Sequence, residues 1–166
     1  MCILGGTIDI TVHEILEDDK VREVKSASGG PWGGIYVDRK YHELLDQVFG
    51  KDFMNHLKCD HPSAWLSMQV DFEIKKRAAN PDNQTGVNIM LPLVFAQAFE
   101  KKTGRDAVSC IKSKKHLGVK YASGLLKIAA ETVSQMHSEV IAHIMSHLNG
   151  LFREMHDHSV SKMFIV

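Results

Sequence analysis

The longest periodic stretch of this chain, Thr132 to Met155, constrains its fold most. Val133, Met136, Val140, Ile141, Ile144, Leu148, Leu151, Phe152 and Met155 recur at steps of three and four, the period of a helix with one apolar face. Such a helix gains most of its stability by burying that face against another layer. The spacing therefore predicts a layered globular domain. At 166 residues, 44% apolar and 24% charged, the chain is long and apolar enough to build its own core. Twenty Lys and Arg balance twenty Asp and Glu. A formal charge of zero argues against a protein whose main task is gripping nucleic acid, and against an acidic disordered tail. No apolar run approaches the roughly 20 residues that span a bilayer, and no signal-peptide pattern opens the chain. Neither a membrane nor a nucleic-acid partner is expected, and a cytoplasmic location is. Cys2, Cys59 and Cys110 are odd in number and scattered, so a disulfide framework is not expected either.

The other elements follow from local pattern. Ile8, Ile10 and Val12 alternate with Asp9, Thr11 and His13, a half-buried strand. Glu17-Asp18-Asp19-Lys20 reads as a polar hairpin turn into a second strand, Val21 to Ser28, whose register the pattern leaves open. Helices are expected over Val37 to Phe49, with Gly50 at the C-terminal cap, and from near Pro62 to Ala79, with Trp65, Met68, Phe72 and Ile74 apolar. Asn80-Pro81-Asp82-Asn83 breaks the chain. A strand over Val87 to Leu91 follows, then short helices over Leu93 to Lys102 and Ala107 to Lys115. Val119 to Ala122 and Leu125 to Ile128 form a hairpin over Ser123-Gly124. Met163 to Val166 reads as a buried parallel closing strand. Apolar patterns at both termini suggest a piece of a larger fold. The order is that of an α/β layer, residues 1–51 and 129–166, carrying an inserted subdomain over 52–128.

Three stretches could carry chemistry. Gly5-Gly6-Thr7-Ile8-Asp9 offers backbone N–H groups to an anion, a hydroxyl donor, and a carboxylate able to hold metal-bound water. Alone the motif is weak, and a Gly-Gly hairpin turn is the commoner explanation for such a pair. Ser28-Gly29-Gly30-Pro31-Trp32-Gly33-Gly34 is either a tight strand-to-helix connection or a second pocket wall, with Asp38 shortly after. Glu73-Ile74-Lys75-Lys76-Arg77 ends a helix, where cations favour the dipole. Lys76 and Arg77 could also serve as donors and a cationic stack on a nucleotide base.

Together these stretches resemble the heat shock 70 kDa protein 12 subfamily, a distant branch of the 70-kDa heat-shock chaperones within the actin-like ATPases. The resemblance runs in order over essentially the whole chain. It implies most of the second lobe of a two-lobed ATPase, a ribonuclease-H-like sheet with an inserted cap, incomplete at both ends. It implies a nucleotide partner, ATP or ADP with Mg²⁺, and chaperone work in the stress response. By resemblance, Gly5, Gly6 and Thr7 match a phosphate-binding loop, and Asp9 a carboxylate near the metal's water shell. Gly33 and Gly34 match a glycine pair on the nucleotide side. Glu73, Lys76 and Arg77 match cap residues bordering adenosine. The family loop usually begins Asp-x-Gly; here Cys2 replaces the acid and Leu4 the first glycine. A thiol does not organise Mg²⁺ and water as a carboxylate does. The chain also corresponds to one lobe only. No meaningful ATP hydrolysis is therefore expected of this chain alone, and no catalytic residue is assigned.

Ten histidines raise the question of a metal. His143 and His147 lie four apart on the long helix, His137 precedes them, His156-Asp157-His158 follows, and His56, Cys59 and His61 cluster. No third ligand is specified, so surface histidines are expected and no metal site is assigned. Cys59 and Cys110 read as buried small apolar groups. Beside the nucleotide-binding lobe stands a second class of function. It is a non-catalytic module that keeps the fold and binds protein clients or itself.

Overall fold

The computed structural model describes residues 1–3, 5–78, 86–155 and 160–165. It is a mixed α/β structure with two three-stranded sheets, both antiparallel, and six α-helices among the described residues. Two compact units emerge: Met1–Arg39 with Ser138–Val166, and Lys40–His137. By sequence position the stretch expected as an insertion, 52–128, falls within the second.

In the first unit β1 (Cys2–Ile3), β2 (Ile8–Ile15) and β3 (Val21–Gly30) lie in that order. Ile8 and Ile10 are buried and pack with Leu148 and Leu151 from the end of α6 (Ala130–Glu154); Met1, Trp32 and Ile144 flank them. The alternation of β2 weakens past Ile10 because β3 carries extra residues. Val12 pairs with Lys25 but His13 with Glu23, so Val24 is left over as a bulge. That bulge explains the open register of the second strand. At Gly29 no side chain fits, since a Cβ there would stand 1.8 Å from the Ile8 carbonyl oxygen.

The long helix buries a narrower stripe than its sequence suggests. Val140, Leu148, Leu151 and Met155 are buried, whereas Ile141 and Phe152 are exposed. Each follows a buried neighbour by one residue, about 100° further round the helix. The closing strand is not formed. Residues 160–165 take no regular structure; Met163, Phe164 and Ile165 are exposed, and Val166 lies outside the described residues. The Phe164 carbonyl accepts a hydrogen bond from the Met1 amino group at 2.9 Å. A short apolar run carries no period of its own, so only an available sheet edge decides whether it becomes a strand.

The second unit contains the C-terminal part of α1 (Gly34–Phe49), then α2 (Lys51–Asp60) and α3 (Pro62–Ala78). Next come β4 (Val87–Met90), α4 (Leu93–Thr103), α5 (Ala107–Ser113), β5 (Val119–Ala122) and β6 (Leu125–Ile128). Its sheet has the order β4-β6-β5. The Asn80-Pro81-Asp82-Asn83 breaker lies outside the described residues. Helix α2 is absent from the sequence reading. Gly50, at φ 92°, ends α1 as expected, yet the chain enters a new helix at the next residue and buries Phe53, Met54 and Leu57. Three apolar residues in ten are a faint stripe, and tertiary packing supplies the rest. Phe49 and Phe53 meet Phe95 and Phe99 edge-to-face, with ring centroids 4.7 to 5.7 Å apart. Such pairs add about 0.5–1.5 kcal/mol each beyond burial. Tyr41 stacks on Phe72 at 3.9 Å. On α3 Ile74 is exposed rather than part of the apolar face, and Trp65 is half-buried. Lys75 and the Met90 backbone N–H both donate to Asp71, tying α3 to β4.

Candidate functional site

The Gly5-Gly6 pair sits in the β1–β2 hairpin turn, where Ile3 faces Ile8. Its two carbonyls point at the start of α1: Ile35 N–H donates to Gly5 at 2.8 Å and Gly33 N–H to Gly6 at 3.4 Å. The two glycine-bearing segments are thus joined through the backbone. In a trans peptide the N–H points opposite to the carbonyl of the same plane. The N–H groups of Gly6 and Thr7 are therefore turned together away from the start of α1. A Cβ on Gly5 would meet nothing within 4 Å. Thr7 and Asp9 are both exposed beside it, and the Thr7 hydroxyl lies 3.4 Å from an Asp9 carboxylate oxygen. Paired outward N–H groups with a hydroxyl are donors of the kind that an anion takes. An exposed carboxylate alongside is a hard-oxygen ligand of the kind Mg²⁺ and its water prefer. The residues present accordingly fit a Mg-bound phosphate. Across the hairpin, Asp9 pairs with Cys2; Leu4 lies outside the described residues.

Gly33 is buried and Gly34 half-buried at the start of α1. None of the glycines between 29 and 34 has a positive φ. They serve close approach: a Cβ on Gly30 would strike the Trp32 ring at 2.7 Å. Trp32 stacks on His143 with ring centroids 5.8 Å apart and tilts against His147 at 5.4 Å. His147 Nε2 lies 3.1 Å from the Ser28 hydroxyl. The histidine pair spaced four apart is thus organised around an indole. Nothing in one-dimensional spacing connects Trp32 to them. Among the described residues no three His, Cys, Asp or Glu side chains gather as a metal site. His156, Asp157 and His158 lie outside them. His56 pairs with Asp60 and meets His61 edge-on at 6.0 Å. Cys59 is exposed, against expectation, because it stands two residues past the buried Leu57, on the far side of α2. Cys110 is half-buried, donates toward the Val48 carbonyl at 3.1 Å, and has its thiol pKa pushed up by burial.

Glu73, Lys76 and Arg77 belong to the second unit, on α3. They are brought together, and to one another's cost as ligands. The Glu73 carboxylate takes Lys76 on one oxygen and Arg77 Nε on the other at 2.6 Å. The Lys76 side chain is only 9% exposed, with its ammonium 6.0 Å from the Phe72 ring centre. Hydrogen bonding from Lys76, and then from Arg77, holds the Glu73 carboxyl below the usual carboxylate range. The two cations share one carboxylate, so the cluster keeps a single net positive charge and its donors are partly committed.

Over 164 residues, 98% of this chain, the sequence is 34% identical to heat shock 70 kDa protein 12A of Homo sapiens. The same figures hold for heat shock 70 kDa protein 12A of Mus musculus. It is 31% identical to heat shock 70 kDa protein 12B of Homo sapiens over the same length. The chain is a relative of the heat shock 70 kDa protein 12 subfamily. It spans 24% of the length of these relatives. No family model and no solved structure matches it. Among the described residues, no helix is long and apolar enough to cross a membrane.

Proposed function

We propose that this chain is a nucleotide-contacting part of a chaperone-like ATPase of the actin-like fold, corresponding to its second lobe, and works in the cytoplasm. One observation carries the reading. The Gly5-Gly6-Thr7 turn, anchored through its carbonyls to Gly33 and Ile35, aims its N–H groups away from that anchor, beside Thr7 and Asp9. In this reading Gly6 and Thr7 hold phosphate oxygens, Gly5 leaves room for them, and Asp9 orients water of the Mg²⁺ shell. Gly33 and Gly34 keep the start of α1 close to the turn. Mg²⁺, when bound, neutralises phosphate charge. Glu73, Lys76 and Arg77 enter by resemblance alone, as residues on the adenosine side. With Cys2 where the family's loop has an acid, and one lobe's worth of groups, hydrolysis by this chain alone is expected to be negligible. The test is titration with Mg-ATP and Mg-ADP by calorimetry and thermal shift. Saturable stabilisation with a Kd on the order of 1 mM, abolished in Thr7→Ala/Asp9→Asn, is expected. No saturable effect at millimolar nucleotide removes the proposal.

A second reading, a self-associating or client-binding module, is favoured by the end of the β2–β3 hairpin. Ile15 and Val21 face each other there and are 75% and 63% exposed, with Leu16 beside them. Apolar side chains clustered at an exposed hairpin end favour contact with another chain. A strictly monomeric species by light scattering at high concentration counts against it.

A further inference from the structure

Charge is unevenly spread in this neutral chain. Between Lys101 and Lys120 stand seven Lys or Arg and one acid, Asp106, a local excess of six positive charges. None of the seven forms an ion pair with a described residue. The lone acid is occupied, since Asp106 caps α5 by accepting from Val108 and Ser109 N–H and from the Ser109 hydroxyl. Two of the cations, Arg105 and Lys114, line a hollow of about 610 Å³ within the second unit. Its walls are the ends of α1 and α4 and one side of α5. Val48, Phe49 and Phe99 supply apolar surface, and Cys110 and the capping Asp106 also line it, so two cations face one carboxylate there and the hollow keeps a net positive charge. The positive field reaches inside: Arg105 and Lys114 both pull the Cys110 thiol pKa down against the larger effect of burial.

We propose that this hollow is a binding site for a compact small-molecule polyanion, one presenting two or more phosphate or carboxylate groups. Arg105 offers a planar fork of donors that matches such groups in pairs, and Lys114 adds a point charge on a flexible stem. The volume admits a small ligand but not a folded partner. The site lies outside the glycine turns and needs no metal, so it stands or falls separately from the nucleotide reading.

The experiment uses the full chain without Mg²⁺, with pyrophosphate and inositol hexakisphosphate as probes. Binding is followed by calorimetry at two salt concentrations. Site occupancy is followed by alkylation of cysteines with iodoacetamide, read by mass spectrometry. Expected are saturable binding that weakens with salt, and slowed alkylation of Cys110 with the exposed Cys59 unchanged as internal control. Arg105→Gln/Lys114→Gln, which alters no described ion pair, should bind about tenfold more weakly or worse while melting near wild type. Three results overturn the proposal: Cys110 alkylation unaffected at saturating probe, wild-type affinity in the Arg105/Lys114 variant, or tighter binding of a single-stranded oligonucleotide or of vesicles containing an anionic phosphoinositide than of inositol hexakisphosphate.

Discussion

Replacing Tyr41 by Phe should make this protein more stable. Tyr41 is fully buried, its ring stacks on Phe72, and its hydroxyl has no hydrogen-bond partner. A buried polar group left unpaired costs about 1–3 kcal/mol in lost hydration. Removing the oxygen leaves a void of roughly 15 Å³, a cost of about 0.4 kcal/mol at the usual price per cavity volume. The balance is a gain of about 1 kcal/mol or somewhat more. For a chain of this length that raises Tm by about 2–4 °C. A second signature comes from alkali. Burial, reinforced by the negative charge of Asp71, raises the Tyr41 pKa far above its unfolded value near 10. Below pH 10 both states keep the proton and stability is unaffected. Above it the unfolded chain loses the proton and the native state does not, so each further pH unit costs up to about 1.4 kcal/mol. The Phe variant escapes that loss, and its advantage should widen in alkali. Thermal melts of both proteins from neutral to strongly alkaline pH provide the assay. A Tm that falls on substitution, with a gap that does not grow above pH 10, would refute the reasoning. It would mean that the hydroxyl is hydrogen-bonded in the native state.

Two further outcomes follow from the same geometry. Gly29→Ala should destabilise by about 3 kcal/mol or more, because the new Cβ collides with the Ile8 carbonyl in the β2–β3 ladder, and chemical denaturation measures this directly. Asp106→Ala should lower Tm by removing the cap of α5. Because backbone N–H of Ser109 holds that carboxyl below its ordinary pKa, the cap's contribution is present above the unfolded value and lost as pH falls, so the two proteins should converge in acid.

Elements with a strong local signal were legible without coordinates. The β5–β6 hairpin turns at Ser123-Gly124, both at positive φ, because that dipeptide accepts the left-handed geometry a tight turn imposes. The bounds of α4 and α6 follow their periodicity to within two residues. Where the local signal was faint the neighbours decided. Helix α2 exists because Phe53, Met54 and Leu57 find a core, and Met163 to Ile165 remain irregular. The candidate site divides in the same way. The candidates were named from Gly5-Gly6-Thr7-Ile8-Asp9 and, by resemblance, from Glu73, Lys76 and Arg77. That Glu73 already occupies both cations could not, since it depends on rotamers settled over Phe72.

Sequence by itself determined most of the segments that become helix or strand, though not α2, together with the relation to the heat shock 70 kDa protein 12 subfamily and the residue types available to meet a phosphate. It could do so because period, turn chemistry and motif are local properties of a chain. Tertiary structure alone decided that the Gly5-Gly6 carbonyls bond the start of α1, that Trp32 lies against His143 and His147, and that Arg105 and Lys114 share one hollow with Cys110. Each joins groups separated along the chain, and only the packing of whole elements fixes where such groups meet.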